Sequence, residues 1–144
     1  MKTILAAIDF SPVADSVIER GLELARALKA RLVLLHVIQP PVFLATDCPA
    51  AISNTITVAA ERSADKRLAR LKAGLRKKFK AVEARRLTGL PVRLILEEAA
   101  RLQVEFIVIG SHGHGAVYDL LLGSTAGGIL KQAACPVVIM PPFR

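Results

Sequence analysis

The chain has no tryptophan, one tyrosine and two cysteines among its 144 residues. With aromatics at 4% and the hydrophobic fraction at 53%, the core must be built from Ala, Val, Ile and Leu. Cys48 and Cys135 form no CxxC pair and no disulfide framework, which excludes a thiolate metal cage and a stapled secreted domain. No apolar run approaches the ~18 residues that a membrane-spanning helix needs. The opening Met1-Lys2-Thr3-Ile4-Leu5-Ala6-Ala7-Ile8-Asp9 briefly imitates a signal peptide, but its apolar run of five residues is closed by Asp9. A strand is the better reading, and the expected compartment is the cytoplasm, with no membrane partner. Neither GxxxxGK[ST] nor GxGxxG occurs, so the Walker lysine loop and the dinucleotide fingerprint are both excluded.

Acidic residues are also scarce in one place. The net charge of +8 lies entirely between Arg62 and Lys80, where nine Lys or Arg face one acid, Asp65; the rest holds eleven of each sign. Within that segment Ala64, Leu68, Leu71, Leu75 and Phe79 step at 4, 3, 4 and 4, which predicts a helix whose basic side chains face solvent. A polyanion-binding patch is the alternative, but no aromatics interleave to stack on bases, so nucleic acid is not the expected partner.

What is present is a regular alternation of strand and helix patterns. Lys2 to Asp9 predicts a strand covered on both faces, and Ser11-Pro12 a helix start running to about Lys29. Arg31 to Val37 is a second strand, followed by a long connection from Pro40 to about Asn54. The basic helix is expected over about Thr55 to Lys78, and a weaker edge strand over Ala81 to Thr88. Gly89-Leu90-Pro91 opens a helix carrying Val92, Ile95, Leu96, Ala99 and Leu102 on one side. Phe106 to Ile109, a glycine-rich loop, a helix over Ala126 to Ala134 and a strand over Val137 to Met140 complete the series. Such alternation predicts a single α/β domain over residues 1–144, with five parallel strands in the doubly wound order 3-2-1-4-5. The first and fourth strands then lie side by side where winding reverses, and ligands of such sheets bind beyond the strand ends at that reversal. Asp9 ends the first strand and Gly110 the fourth, so both arrive at one crevice.

The loop at that crevice reads Gly110-Ser111-His112-Gly113, nine residues, then Gly123-Ser124-Thr125. Glycines between a strand and a helix let main-chain N–H groups approach an anion, and the helix directs its positive end to the same point. The spacing G-x2-G-x9-G-[ST] resembles the nucleotide-binding signature of the universal stress protein family. His112-Gly113-His114-Gly115, Leu120-Leu121-Leu122-Gly123-Ser124 and Cys135-Pro136-Val137-Val138-Ile139 are similar to that family's C-terminal third. Ile4-Leu5-Ala6-Ala7-Ile8-Asp9-Phe10-Ser11 and Leu34-Leu35-His36-Val37 fit its first two strands. The likeness covers both ends of the chain and leaves the middle generic.

The resemblance implies an adenine nucleotide, ATP or AMP with Mg²⁺, and assigns roles residue by residue. Asp9 would meet the ribose, or else cap the helix that follows. Val37 would offer its main chain to adenine, with Ala7, Ile8 and Ile109 as apolar walls. Gly110, Gly113, Gly123, Ser124 and Thr125 would hold the phosphates, with Ser124 also able to cap its helix, and His112 would face them. His112 and His114 could together bind a metal, but no carboxylate or thiolate completes a local set, so no metal site is expected. His36 is expected as a satisfied core histidine and Cys135 as packing at a strand start.

Three functions compete on this reading: a nucleotide-binding regulatory protein with an undefined protein partner, a slow ATP hydrolase or phosphoryl-transfer enzyme, and an interaction module that binds no nucleotide. The loop from Gly110 to Thr125 has no Lys or Arg and one acid, Asp119, which is too little for fast phosphoryl transfer, so no catalytic residue is expected. Finally, no charged residue stands between Lys131 and Arg144. The last strand is therefore an apolar sheet edge, for which a homodimer pairing these strands is the simplest cover.

Overall fold

A computed structural model describes residues 1–41, 50–112 and 122–142. The strands are β1 (Thr3–Ala7), β2 (Arg31–Ile38), β3 (Val82–Thr88), β4 (Phe106–Gly110) and β5 (Val137–Met140), alternating with helices α1 (Ala14–Ala27), α2 (Ala50–Arg76), α3 (Pro91–Leu102) and α4 (Ser124–Gln132). All strand pairings are parallel, in the order β3-β2-β1-β4-β5 expected from the alternation.

Every residue of β1 is buried, because it is the central strand and is covered on both faces. Successive side chains point to opposite faces and feed two separate cores. Ile4, Ala6 and Ile8 join Leu32, Leu34, Val108 and the inward side of α1, together with Leu68 of α2. Leu5 and Ala7 join Val33, Leu35, Ile107 and Ile109 under Ile95 and Ala99 of α3 and Ala126 and Ile129 of α4. The sheet thus has α1 and α2 on one side and α3 and α4 on the other.

Local differences from the sequence pattern have physical causes. The first helix begins at Ala14 rather than Ser11-Pro12, with Val13 at the N-cap and no side-chain capping bond. Residues 9–13 are used instead to turn the chain, through a positive φ of 60° at Phe10. The second helix starts at Ala50, about a turn and a half before the expected Thr55, since its opening turns carry no breaker after Pro49. The last helix starts two residues early, at Ser124. β3 is an edge strand, as its charges suggested, but those charges are matched: Arg86 pairs with Glu61 and Asp65 of α2, and Arg31 with Glu83.

Candidate functional site

Register places the ends of β1 and β4 side by side, with Ala7 opposite Ile109 on one flank and Leu35 on the other. Beyond Ala7 the ladder continues for one bond, Ile8 N–H donating to the Leu35 carbonyl at 2.9 Å. The chain then turns at Asp9. One carboxylate oxygen of Asp9 accepts the Ser11 N–H at 3.0 Å, fixing the turn from within.

Phe10 occupies the left-handed region, which is costly for a bulky side chain and needs support from its surroundings. Two contacts supply it. The ring sits 4.4 Å from the His36 ring, and the Arg67 guanidinium of α2 lies over it at 4.2 Å. His36 in turn bonds the Ile8 carbonyl through Nδ1 at 2.8 Å. A carbonyl only accepts, so Nδ1 carries the proton. Burial pushes the His36 pKa below 6.5, partly opposed by that hydrogen bond and by Asp9. His36 is thus satisfied, as expected, and holds the turn that carries Asp9.

On the β4 side, Gly110 has no room for a side chain. A Cβ there would lie 2.6 Å from Val13 Cγ1 and 3.2 Å from the His112 carbonyl oxygen. This close approach joins the end of β4 to the turn between Asp9 and α1. Ser111 N–H then donates to the Met140 carbonyl at 2.8 Å, and its own carbonyl accepts the Gly123 N–H at 2.7 Å. A Cβ on Gly123 would stand 3.0 Å from that same carbonyl oxygen. Gly123 has φ −59°, which any residue can adopt, so it is backbone proximity that requires glycine here. Gly110 thus packs against the Val13 side chain, and Gly123 against the Ser111 carbonyl.

Gly123 is also the N-cap of α4, with no side-chain capping bond, so Ser124 and Thr125 fall on the first two helical positions and do not cap. The first bond returning to the cap is Gly127 N–H to the Gly123 carbonyl at 2.9 Å. The N–H groups of Ser124, Thr125 and Ala126 therefore have no intrahelical acceptor and point outward at the positive end of the helix. Ser124 is exposed and Thr125 half-buried, and both line a cleft of about 540 Å³ with Gln39, Pro91, Val92 and Arg93.

Ala7, Ile8, Asp9, Ile109, Gly110, His112, Gly123, Ser124 and Thr125 thus gather at the C-terminal ends of β1 and β4. Val37 lies near the end of the neighbouring β2, opposite Leu87 of β3. Gly113, His114 and Asp119 lie outside the described residues. Among the described residues no three His, Cys, Asp or Glu side chains converge as a metal-ligand set. Cys135 is half-buried against the α3–α4 core, and burial raises its thiol pKa.

Sequence reasoning missed Ser11. Its side chain is 5% exposed, and its hydroxyl has no hydrogen-bond partner among the described residues. The helix start expected at Ser11-Pro12 falls instead at Ala14; a hydroxyl two residues after a strand-end aspartate is the signal that marks Ser11. Ser111 was missed as well: it is 6% exposed, and its hydroxyl sits 2.9 Å from His112 Nδ1.

The sequence profile of the universal stress protein family matches residues 1–141. The chain belongs to the universal stress protein family. A curated relative, universal stress protein A homolog 1 of Coxiella burnetii, is 36% identical over 138 residues, covering 95% of this chain and 94% of the relative. Among solved structures, universal stress protein UspA from Lactobacillus plantarum superposes with TM-score 0.84 at 21% identity, covering 96% of this chain and 97% of that one. Protein MJ0577 follows with TM-score 0.80 at 26% identity, covering 99% and 97%. A universal stress protein in complex with cAMP has TM-score 0.61 at 22% identity, covering 96% and 95%. The fold is therefore shared with these solved structures.

Proposed function

We propose that this universal stress protein binds an adenine nucleotide, ATP or AMP, in the crevice between the ends of β1, β2 and β4, and that occupancy regulates its contacts with a protein partner. The observation that carries this reading is the linkage of two loops far apart in sequence. Gly110 is pressed against Val13, and Gly123 is bonded to Ser111, so the open N–H groups of α4 are tied to the turn bearing Asp9. An anion suits those N–H groups, and a hydroxylated sugar suits the carboxylate. That a structural neighbour was solved with cAMP agrees with a nucleotide as the class of ligand.

In this reading Asp9 takes a ribose hydroxyl, the Val37 main chain meets the base between Ala7, Ile8 and Ile109, and Gly110, His112, Gly113, Gly123, Ser124 and Thr125 surround the phosphates. Mg²⁺ would arrive on the phosphates themselves, where it neutralises charge. The segment from Gly110 to Thr125 has neither Lys nor Arg, so the protein acts as a binder and at most hydrolyses ATP slowly. The edge strand β5, with all four residues half-buried, would pair with the same strand of a second copy.

Calorimetric titration with ATP, AMP and GTP tests the proposal. Binding of ATP or AMP, weaker binding of GTP, and a loss of about 1–3 kcal/mol in Asp9→Ala are expected. No heat with either adenine nucleotide, or undiminished affinity in Asp9→Ala, would refute it. Light scattering checks the pairing of β5: a mass near twice 15.5 kDa, reduced by Val138→Lys, is expected.

A further inference from the structure

Helix α2 has a surface that the nucleotide crevice does not use. Only Ala64 and Leu68 of its 27 residues are buried. On the outward side Ile52, Ile56, Ala59, Ser63, Lys66 and Arg70 follow one another in alternating steps of four and three, and Lys77 continues the line. Every one of these positions is exposed. From Ile52 to Arg70 the stripe runs about 27 Å at the rise of an α-helix, and Lys77 lies in the turn just past the helix end. Its chemistry changes along its length: Ile52 and Ile56 are 51% and 45% exposed, with Val58 beside them at 46%, whereas the second half is cationic.

Six arginines outside this stripe are paired. Arg20, Arg31, Arg85, Arg86, Arg93 and Arg101 each reach a carboxylate. Among the described residues, Arg62, Lys66, Arg70, Lys72 and Lys77 have no ion pair and no hydrogen bond. A helix whose cations are merely solvated needs no exposed isoleucines in the same line. A strand of nucleic acid would call for aromatic platforms or a groove, and the line offers neither.

We propose that the outward face of α2 docks on an anionic lipid surface. Lys66, Arg70 and Lys77, with Arg62 beside them, would meet the headgroups, and Ile52 and Ile56 would enter the interface. A flat, charged partner with an apolar layer beneath it matches a stripe carrying both kinds of residue. Among the described residues no helix is long and apolar enough to cross a membrane, and peripheral docking needs none. The proposal is independent of the crevice and of what it binds.

Co-sedimentation of the full chain with vesicles tests it. The protein should pellet with vesicles in which about a third of the lipid is phosphatidylglycerol, and should stay in solution with pure phosphatidylcholine. Salt that shortens the Debye length from about 10 Å to about 3 Å should release it. Lys66→Glu/Arg70→Glu/Lys77→Glu should lower the partition coefficient about 100-fold, and Ile52→Ser/Ile56→Ser severalfold, with circular dichroism unchanged in both. Should charge reversal disturb the fold, Lys66→Gln/Arg70→Gln serves instead and should still weaken binding at least tenfold. Equal binding to neutral vesicles, no binding to anionic ones, or full retention by the variants would overturn the proposal. So would displacement from anionic vesicles by a single-stranded oligonucleotide that binds more tightly, which would make the face a nucleic-acid site.

Discussion

The two ends of this molecule's chemistry are built in opposite ways. Where β1 and β4 end, atoms are so close that neither Gly110 nor Gly123 could carry a Cβ without displacing a neighbour. Along α2, by contrast, 27 residues yield only two that are buried, and Arg62, Lys66, Arg70 and Lys72 have no ion pair among the described residues. Close packing fixes positions to within a fraction of an ångström, which a ligand site requires. An open charged helix fixes little beyond its own axis, which is enough to meet a broad surface. Recognition at the first comes from geometry, and at the second from charge density.

The largest effects should come from breaking the packed end. Ile107→Ala empties a fully buried position next to both β1 and β5 and should cost about 2–5 kcal/mol in urea unfolding. Gly110→Val forces a branched side chain into Val13 and should cost about 1–3 kcal/mol, more if the turn at Asp9 is displaced. Because this turn belongs to the crevice, nucleotide affinity should fall with it, in contrast to Ile107→Ala. Arg86→Ala removes the link from β3 to Glu61 and Asp65 of α2, at a cost of about 0.5–1 kcal/mol for a partly exposed network.

His36 adds a pH dependence to the packed end. Its folded pKa lies below its unfolded value of 6.5, so the unfolded chain binds the extra proton first. Its contribution is fully present above pH 6.5 and fades as pH falls from there to the folded pKa. His36→Gln should therefore flatten the dependence of Tm on pH in that window, seen by thermal melts at a series of pH values. Glu98 acts lower: its pairing with Arg101 and Arg85 holds its pKa below 4.5, so its contribution is lost only as pH falls past that region. The smallest effect belongs to α2, where Lys66→Gln/Arg70→Gln/Lys77→Gln should shift stability by no more than about 0.5 kcal/mol per site.

The strand order was legible because hydrophobic period and connection length leave few topologies for five parallel strands. Asp9, Gly110 and Ser124 were legible for the same reason: each stands at a strand or helix end, and the topology decides where ends meet. What stayed hidden depends on three-dimensional neighbours. Nothing local says that Ser11 fails to cap and keeps an unmet hydroxyl, or that Phe10 takes a positive φ held by His36 and Arg67 from different elements. Likewise the reason for Gly123 is the carbonyl of Ser111, twelve residues back, which spacing alone could not supply. The start of α2 was misjudged because its first turns bury nothing and so show no apolar period.

Amide chemical shifts followed during titration with ATP and Mg²⁺ test the central claim most directly, since ATP could in principle choose either end of the molecule. The account predicts saturable shifts centred on Ile8 to Ser11, Gly110 to His112 and Gly123 to Ala126, with Arg62 to Lys77 essentially still. Shifts centred on α2 and abolished by salt, or no shifts at the ends of β1 and β4, would contradict it.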